Sequence, residues 1–456
     1  MSHRFSGGSV SLTEGSIVKG MLSFAIPFFW GQLLQQLYNM ADAWVVGNFA
    51  DNAAFAAISS SASLIFLIVG FFNGIGIGGG VVISRYFGAG DEKEVEKSIH
   101  TNFLFGIIAS VVCTVVGLLL VPYILRWMGT PENVLPQSMT YFRIYCAGVS
   151  TVIMYNICMS IMRAVGDSLH PLYYLLLSSI INVVLDLILV AGFHTGVAGA
   201  AAATVVSQGI SAGLCVIRMC RGKDSVRLDF RKLRLEPSIM REVIYQGIPT
   251  GIQNSVISIG NIVVQSNINS FGEYAIAGVG AYSRIEGFVF LPIMSMSMAL
   301  TTFISQNLGA KKYDRAKKGA AFGIISGVVT AELIGILFYL TSARLLRIFI
   351  SSPEAIRYGV IHAKTVTLFF CLLSFSHCAA GVIRGCGKSV VPMVGMLAFW
   401  CGVRITYITV ILKIIPEFRM IACAYPLTWS LTSVVFALFL AKSDWTHAFE
   451  RSSSAV

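Results

Sequence analysis

The chain has 456 residues, 55% hydrophobic and 12% charged, where soluble domains carry roughly a quarter charged residues. Its mean hydropathy is +0.76, and apolar runs of about 20 residues, enough to cross a hydrocarbon core as a helix, recur along it. That excludes a soluble globular fold. The net charge of +11 sits mostly in short loops between the runs, so it reads as the positive-inside pattern and not as a nucleic-acid surface.

The first 16 residues are polar, and no small-residue cleavage site follows the first apolar run, so no cleaved signal peptide is expected. Spanning helices are predicted over residues 17–45, 53–83, 94–123, 134–163, 171–192 and 197–220. A polar, basic stretch follows at 221–236, and then a second set at 238–268, 275–305, 315–342, 355–384, 390–412 and 419–441. The expected fold is an all-α integral membrane protein with 12 transmembrane helices. It comprises an N-terminal six-helix bundle (1–220), a basic cytoplasmic linker (221–236), a C-terminal six-helix bundle (237–445) and a cytoplasmic tail (446–456). Twelve spans place both termini on one side. Loops on that side carry Arg85, Lys93, Lys97, Arg163, Arg231, Lys312, Arg384 and more, against Arg126, Arg344, Arg347, Arg357, Lys413 and Arg419 opposite. The bias predicts cytoplasmic termini in a bacterial-type inner membrane. Ten cysteines are scattered with no CxxC pair, which predicts neither disulfides nor a metal centre.

The chain repeats itself at one nearly constant offset. Ala25-Ile26-Pro27 answers to Gly247-Ile248-Pro249, and Ile83–Ala89 to Ile304–Ala310. Pro131-Glu132 answers to Pro353-Glu354, and Ile161–Ser168 with Pro171 to Val382–Ser389 with Pro392. Six spans per repeat is an even number, so both halves enter the membrane from the same side. The halves are therefore expected to be related by a parallel pseudo-twofold along the membrane normal.

Charge inside a span is expensive and calls for a reason. Gln35, Asn39 and Asp42 share one face late in the first span, and Asn182 and Asp186 lie one turn apart in the fifth. Thr204 follows the small-residue stretch Ala200–Ala203 in the sixth. Two carboxylates, an amide and a hydroxyl offer the oxygen donors a hard cation needs. Two carboxylates in one low-dielectric pocket also cannot both ionise cheaply, so the pair would serve as a proton carrier. Na⁺ and H⁺ stay open at this stage. The repeat positions of Asp42 and Asp186 in the second half are Val263 and Tyr407, so the acids belong to the first half alone. Arg143 is a candidate counter-ion to them. Arg284, Glu286, Glu332, Lys364 and Arg404 read as structural charges with opposite-sign partners available, and His377 as a lone histidine that could titrate near neutrality. No catalytic constellation and no phosphate loop with a preceding strand is present, so neither an enzyme nor an ATP-driven pump is expected.

These residues carry a resemblance. Pro27, Asn39 and Asp42, the segments after the second and eighth spans, Arg163 to Pro171, Arg384 to Pro392, and Asn182 with Asp186 and Thr204 resemble the multidrug and toxin extrusion (MATE) family over nearly the whole chain. The resemblance implies a V-shaped 6+6 bundle that exports organic compounds against inward Na⁺ or H⁺, with no cofactor beyond that cation. It assigns the coupling ion, including any bound Na⁺, to Asp42, Asn182, Asp186 and Thr204, and a helix-bending role to Pro27. Physically, proline removes a backbone hydrogen bond and permits a kink. Gln35, Asn39 and Asn156 would line the substrate cavity. The chain looks closer to the DinF-like, prokaryotic branch than to the NorM-like one, because Pro249–Ser255 and Leu373–His377 hold no acid. The expected partners are small, often cationic, organic substrates and the lipid bilayer, with no nucleic acid, and a monomer is expected. A lipid-linked precursor flippase of the wider superfamily is the alternative.

Overall fold

The computed structural model describes residues 11–49, 52–127, 132, 134–222 and 226–453. Pro131 of the repeat, linker residues 223–225 and tail residues 454–456 lie outside the described residues. Among the described residues there is no strand. The first half contains α1 (Ile17–Phe49), α2 (Asn52–Ala89), α3 (Glu92–Trp127), α4 (Leu135–Ala147), α5 (Val149–Ala164), α6 (Leu169–Asp186) and α7 (Gly196–Cys220). The second contains α8 (Pro237–Asn269), α9 (Glu273–Gly309), α10 (Tyr313–Leu346), α11 (Pro353–Val366), α12 (Phe370–Gly385), α13 (Val390–Met396), α14 (Arg404–Ile414) and α15 (Phe418–Lys442), followed by the short α16 (Ala448–Ser453). A π-helical turn, Leu187–Gly192, continues α6, and another, Leu397–Val403, joins α13 to α14.

Each predicted span has its helical counterpart. Among the described residues ten helices are long and apolar enough to cross a membrane, and α4 with α5, bent by 46°, makes an eleventh if the pair is one span. The remaining one, α8, has the length but carries Gln253, Asn254, Asn261 and Gln265 among its apolar residues. The bend between α4 and α5 falls at Gly148, where a Cβ would meet Val205 Cγ1 at 2.1 Å. The backbone there must stay bare for α7 to cross it. Outward faces are apolar: α10 exposes Ile325, Val329, Leu333, Ile336, Leu337 and Leu340, a stripe suited to lipid chains.

Helix ends follow local chemistry. Asp91 Oδ1 accepts the Glu94 backbone N–H at 3.1 Å at the start of α3, and Ser352 Oγ accepts that of Ala355 at 3.4 Å at the start of α11. The repeat is visible in the same detail. Gly166 and Gly387, at matching positions of the two halves, both hold a left-handed backbone, with φ of 86° and 77°. Behind them Asp167 N–H donates to Met162 O at 3.0 Å, and Lys388 N–H to Ile383 O at 3.1 Å. These are the same Schellman closure, used twice.

The helices gather into two compact units, one containing Trp30–Gly251 and the other containing Leu12–Phe29 and Ile252–Val456. The division does not fall at the linker. The first stretch of α8 stays with the first unit, where α2 meets it backbone to backbone. A Cβ at Gly74 would lie 2.3 Å from Gly251 N, and one at Gly78 2.3 Å from Gly247 N. Arg85 and Glu242 add an ion pair at 2.6 Å between the same two helices. The first stretch of α1 packs in the second unit, with Met21, Phe24 and Ala25 among Leu300, Phe303 and Ile304. A polar linker marks where the chain leaves the bilayer, whereas packing decides where a unit ends.

Candidate functional site

The site is built inside the first unit from α1, α4, α6 and α7. Asp186 is the last α-helical residue of α6, immediately before the π turn. Such turns displace the helix register and recur at functional sites. Asn182 and Asp186 are both fully buried, each 0% exposed. The Asn182 amide, oriented to satisfy both neighbours, donates to Asp186 Oδ2 at 2.9 Å and accepts from the Thr204 backbone N–H at 3.2 Å. One amide thus fixes α6 against α7, whose small residues Ala200, Ala201 and Ala203 are buried to 1% or less and let the two helices approach closely.

Asp42 reaches the same place from α1. Its carboxyl group lies close to that of Asp186. Each acid also keeps its Oδ1 buried without a hydrogen-bond partner among the described residues. Two buried carboxyl oxygens are thus unpartnered side by side, the chemistry that suits a proton or a hard cation. Neither acid makes an ion pair among the described residues.

Two site residues carry no sign in the sequence beyond their position. The Tyr38 hydroxyl lies close to Thr204, Asp42 and Asp186. Tyr141 on α4 faces the same two acids. Tyr38 stands one turn before Asp42, which would have placed it on the acidic face, but a tyrosine in a membrane helix passes for an apolar residue. Tyr38→Phe removes one hydroxyl beside the acids, a group whose hydrogen bond to a bound ion's ligands is worth about 1 kcal/mol. It is expected to weaken ion-dependent transport about fivefold with the fold intact, read as the ion concentration for half-maximal efflux.

The other expectations divide. Gln35 is half-buried and Asn39 exposed on α1, and neither makes a hydrogen bond among the described residues. Asn156 donates to Val152 O of its own helix at 2.8 Å. Arg143 is exposed and makes no ion pair among the described residues, so it is not the counter-ion of the acids. In the second unit Glu286 accepts from the Tyr282 hydroxyl at 3.0 Å, and Arg404 donates to Thr428 Oγ1 at 3.0 Å. Glu332 accepts the Cys371 backbone N–H at 3.0 Å, and Lys364 lies 5.5 Å over the Tyr339 ring, and neither makes an ion pair among the described residues. Arg284 is exposed, and His377 is wedged edge-on between Phe290 at 4.9 Å and Trp400 at 5.4 Å.

The MatE family profile matches residues 27–188 and 249–408 of this chain, one block in each half and each beginning at the repeat's proline. The chain belongs to the MATE family. It is a multi-pass membrane transporter and not an enzyme. Among MATE relatives, "Probable multidrug resistance protein YoeA" of Bacillus subtilis is 28% identical over 402 residues, covering 86% of each chain. "Multidrug export protein MepA" of Staphylococcus saprophyticus is 24% identical over 375 residues, covering 82% of this chain and 83% of that one. A transporter of the MOP superfamily from Pyrococcus furiosus, described as having a binding pocket of reversed polarity that suggests a different function, superposes with a TM-score of 0.90. Its identity is 20%, over 98% of this chain and 99% of that one. These likenesses give the 12-helix, two-lobed fold.

Proposed function

We propose that this MATE transporter exports amphipathic, often cationic, organic compounds in exchange for inward H⁺ or Na⁺, which binds at Asp42, Asn182, Asp186 and Thr204. The observation that carries the reading is the meeting of two acids from separate helices, each with a buried Oδ1 that lacks a hydrogen-bond partner and neither in an ion pair among the described residues. A group left to be neutralised by a mobile ion is what coupling requires: ion binding must favour one conformation over the other. The names of the relatives, multidrug resistance and multidrug export, support the substrate class. Gln35 and Asn39, on the same face of α1 as Asp42, would meet the substrate. Pro27 is the proposed hinge, because α1 passes from one compact unit to the other between Phe29 and Trp30, two residues beyond it.

The acids of the first half and the acid-free stretches at 249–255 and 373–377 support a place near the DinF-like branch. The loop charges support a bacterial-type inner membrane with cytoplasmic termini, and the protein is proposed to work as a monomer. The test is efflux of ethidium and tetraphenylphosphonium from proteoliposomes under an imposed Na⁺ gradient or an imposed pH gradient, each alone. One of the two gradients should drive uphill movement. Absence of any organic-cation transport, together with scrambling of a lipid-linked sugar, would replace this reading with the flippase.

A further inference from the structure

The basic segment that follows α7 is fastened to α3, at the level where the bilayer ends. From Phe103 to Leu125 α3 holds no charged residue, a length of about 34 Å that matches a hydrocarbon core of about 30 Å. Glu92, Lys93, Glu94, Glu96 and Lys97 all come before it. Phe103 therefore marks the level where lipid chains give way to headgroups. Beyond it α3 exposes Ile108, Val111, Val112, Val115 and Val116, so this helix faces lipid.

The fastening is made of named bonds. Leu228 is 2% exposed, and its N–H donates to Met219 O at 3.1 Å. The Asp229 N–H donates to His100 Nε2 at 3.0 Å. Thr101 Oγ1 donates to Arg234 O at 3.2 Å and accepts the Glu236 N–H at 3.3 Å. The Phe230 ring meets that of Phe103 edge-on, with centroids 5.9 Å apart.

With its inner side taken up by α3, the segment presents basic and apolar groups outward. Residues 221–236 hold six basic and three acidic side chains. Lys232 is held by Glu96 at 2.6 Å, and Asp229 Oδ1 accepts the Arg231 backbone N–H at 3.0 Å. Arg221, Arg227, Arg231 and Arg234 are exposed, and none makes an ion pair among the described residues. Among them Phe230 is 55% exposed although it touches α3, and Leu235 is 41% exposed. A solvated loop has use for the charges but not for these two apolar side chains. Arginines interleaved with apolar groups at headgroup level are the composition of an interfacial anchor.

We propose that this docked segment is a binding face for acidic phospholipid of the adjacent leaflet. Arg227, Arg231 and Arg234 hold the headgroup phosphate, and Phe230 and Leu235 enter the interface beside α3. An arginine offers a planar fork of N–H donors that matches phosphate oxygens. Docking on α3 orders the backbone that carries these forks before the lipid arrives, which lowers the cost of binding.

The test is binding of fluorescent short-chain phosphatidylglycerol to the purified full-length protein in a neutral detergent, with phosphatidylcholine of the same chains as the comparison. Wild type should prefer the acidic lipid by about tenfold or more, and added salt should weaken the preference. Arg231→Gln should weaken phosphatidylglycerol binding about fivefold. Arg227→Gln/Arg231→Gln/Arg234→Gln should abolish the preference and leave phosphatidylcholine binding unchanged. Lys311→Gln/Lys317→Gln/Lys318→Gln removes the same charge from exposed positions around the start of α10 and should bind as the wild type. The proposal is overturned if wild type binds both lipids alike, if the arginine variant keeps the preference, or if the lysine variant loses it equally. Displacement of the lipid by inorganic phosphate or by an oligonucleotide at matching concentration would assign the face to a soluble anion and overturn it too. Should the triple arginine variant not be monodisperse, Arg231→Gln decides, because the Arg231 side chain makes no hydrogen bond among the described residues.

Discussion

Asp42→Asn and Asp186→Asn are each expected to stop gradient-driven efflux while leaving a folded, substrate-binding protein. The asparagine side chain matches the carboxyl group in size and keeps hydrogen-bonding atoms toward Asn182 and toward the opposing acid, so the junction of α1, α6 and α7 survives. What disappears is one of the two charges assigned to the proposed coupling ion. In the wild type, ion and substrate affinities should be linked by a coupling free energy of about 1–3 kcal/mol, a change of about 5- to 150-fold in tetraphenylphosphonium affinity between ion-free and ion-saturated protein. In either variant that dependence should flatten to less than about twofold, and efflux under the driving gradient should fall by about tenfold or more. Binding measured calorimetrically across an ion titration reads the first quantity, and proteoliposome efflux the second. Wild-type efflux in both variants would remove the coupling site from these acids. Linkage also fixes the direction of the effect: an ion that favours the state releasing substrate must weaken substrate binding, and substrate must weaken ion binding by the same factor.

The parts of this protein that were legible in its sequence are those that a bilayer makes expensive to hide. Every span could be read because an apolar run of that length has no other use, and the halves could be matched because their loop motifs require the same backbone, as at Gly166 and Gly387. Asp42 and Asp186 stood out for the same reason, a charge among apolar neighbours. What could not be read depends on which helix lies beside which. The bend at Gly148 exists because Val205 of α7 presses on it. Tyr38 and Tyr141 join the acids only once α1 and α4 come to α6 and α7. Arg143 was a reasonable counter-ion by charge alone, but its side chain faces outward from α4. Glu332 and Lys364 had opposite-sign residues available in the sequence, yet settle on a backbone N–H and a tyrosine ring. Composition lists the charges, and only packing assigns their partners.

Gly78→Val should do the opposite of the acid variants and destroy the folded protein without touching the site. The crossing of α2 and α8 is glycine on both sides. A Cβ on Gly78 would lie 2.3 Å from Gly247 N and 2.4 Å from Gly247 Cα, and the reverse substitution at Gly247 would bring a Cβ to 2.8 Å from Ile75 Cα. No flexible side chain stands in the way that could turn aside, so the helices themselves must separate. Inserting carbon into a well-packed interior costs about 1–3 kcal/mol when side chains can adjust, and here only backbone can move, so the upper end or beyond is expected. Separation would also break the neighbouring contact of Gly74 with Gly251 and pull Arg85 from Glu242. The measurement is thermal unfolding of detergent-solubilised protein followed by size-exclusion chromatography. Gly78→Val should lower the midpoint strongly or yield aggregate. Gly213→Ala, whose added carbon would meet no atom within 4 Å, should match the wild type. A Gly78→Val protein with the wild-type midpoint would show that α2 and α8 do not meet at this seam. The first stretch of α8 would then have no reason to belong to the first unit.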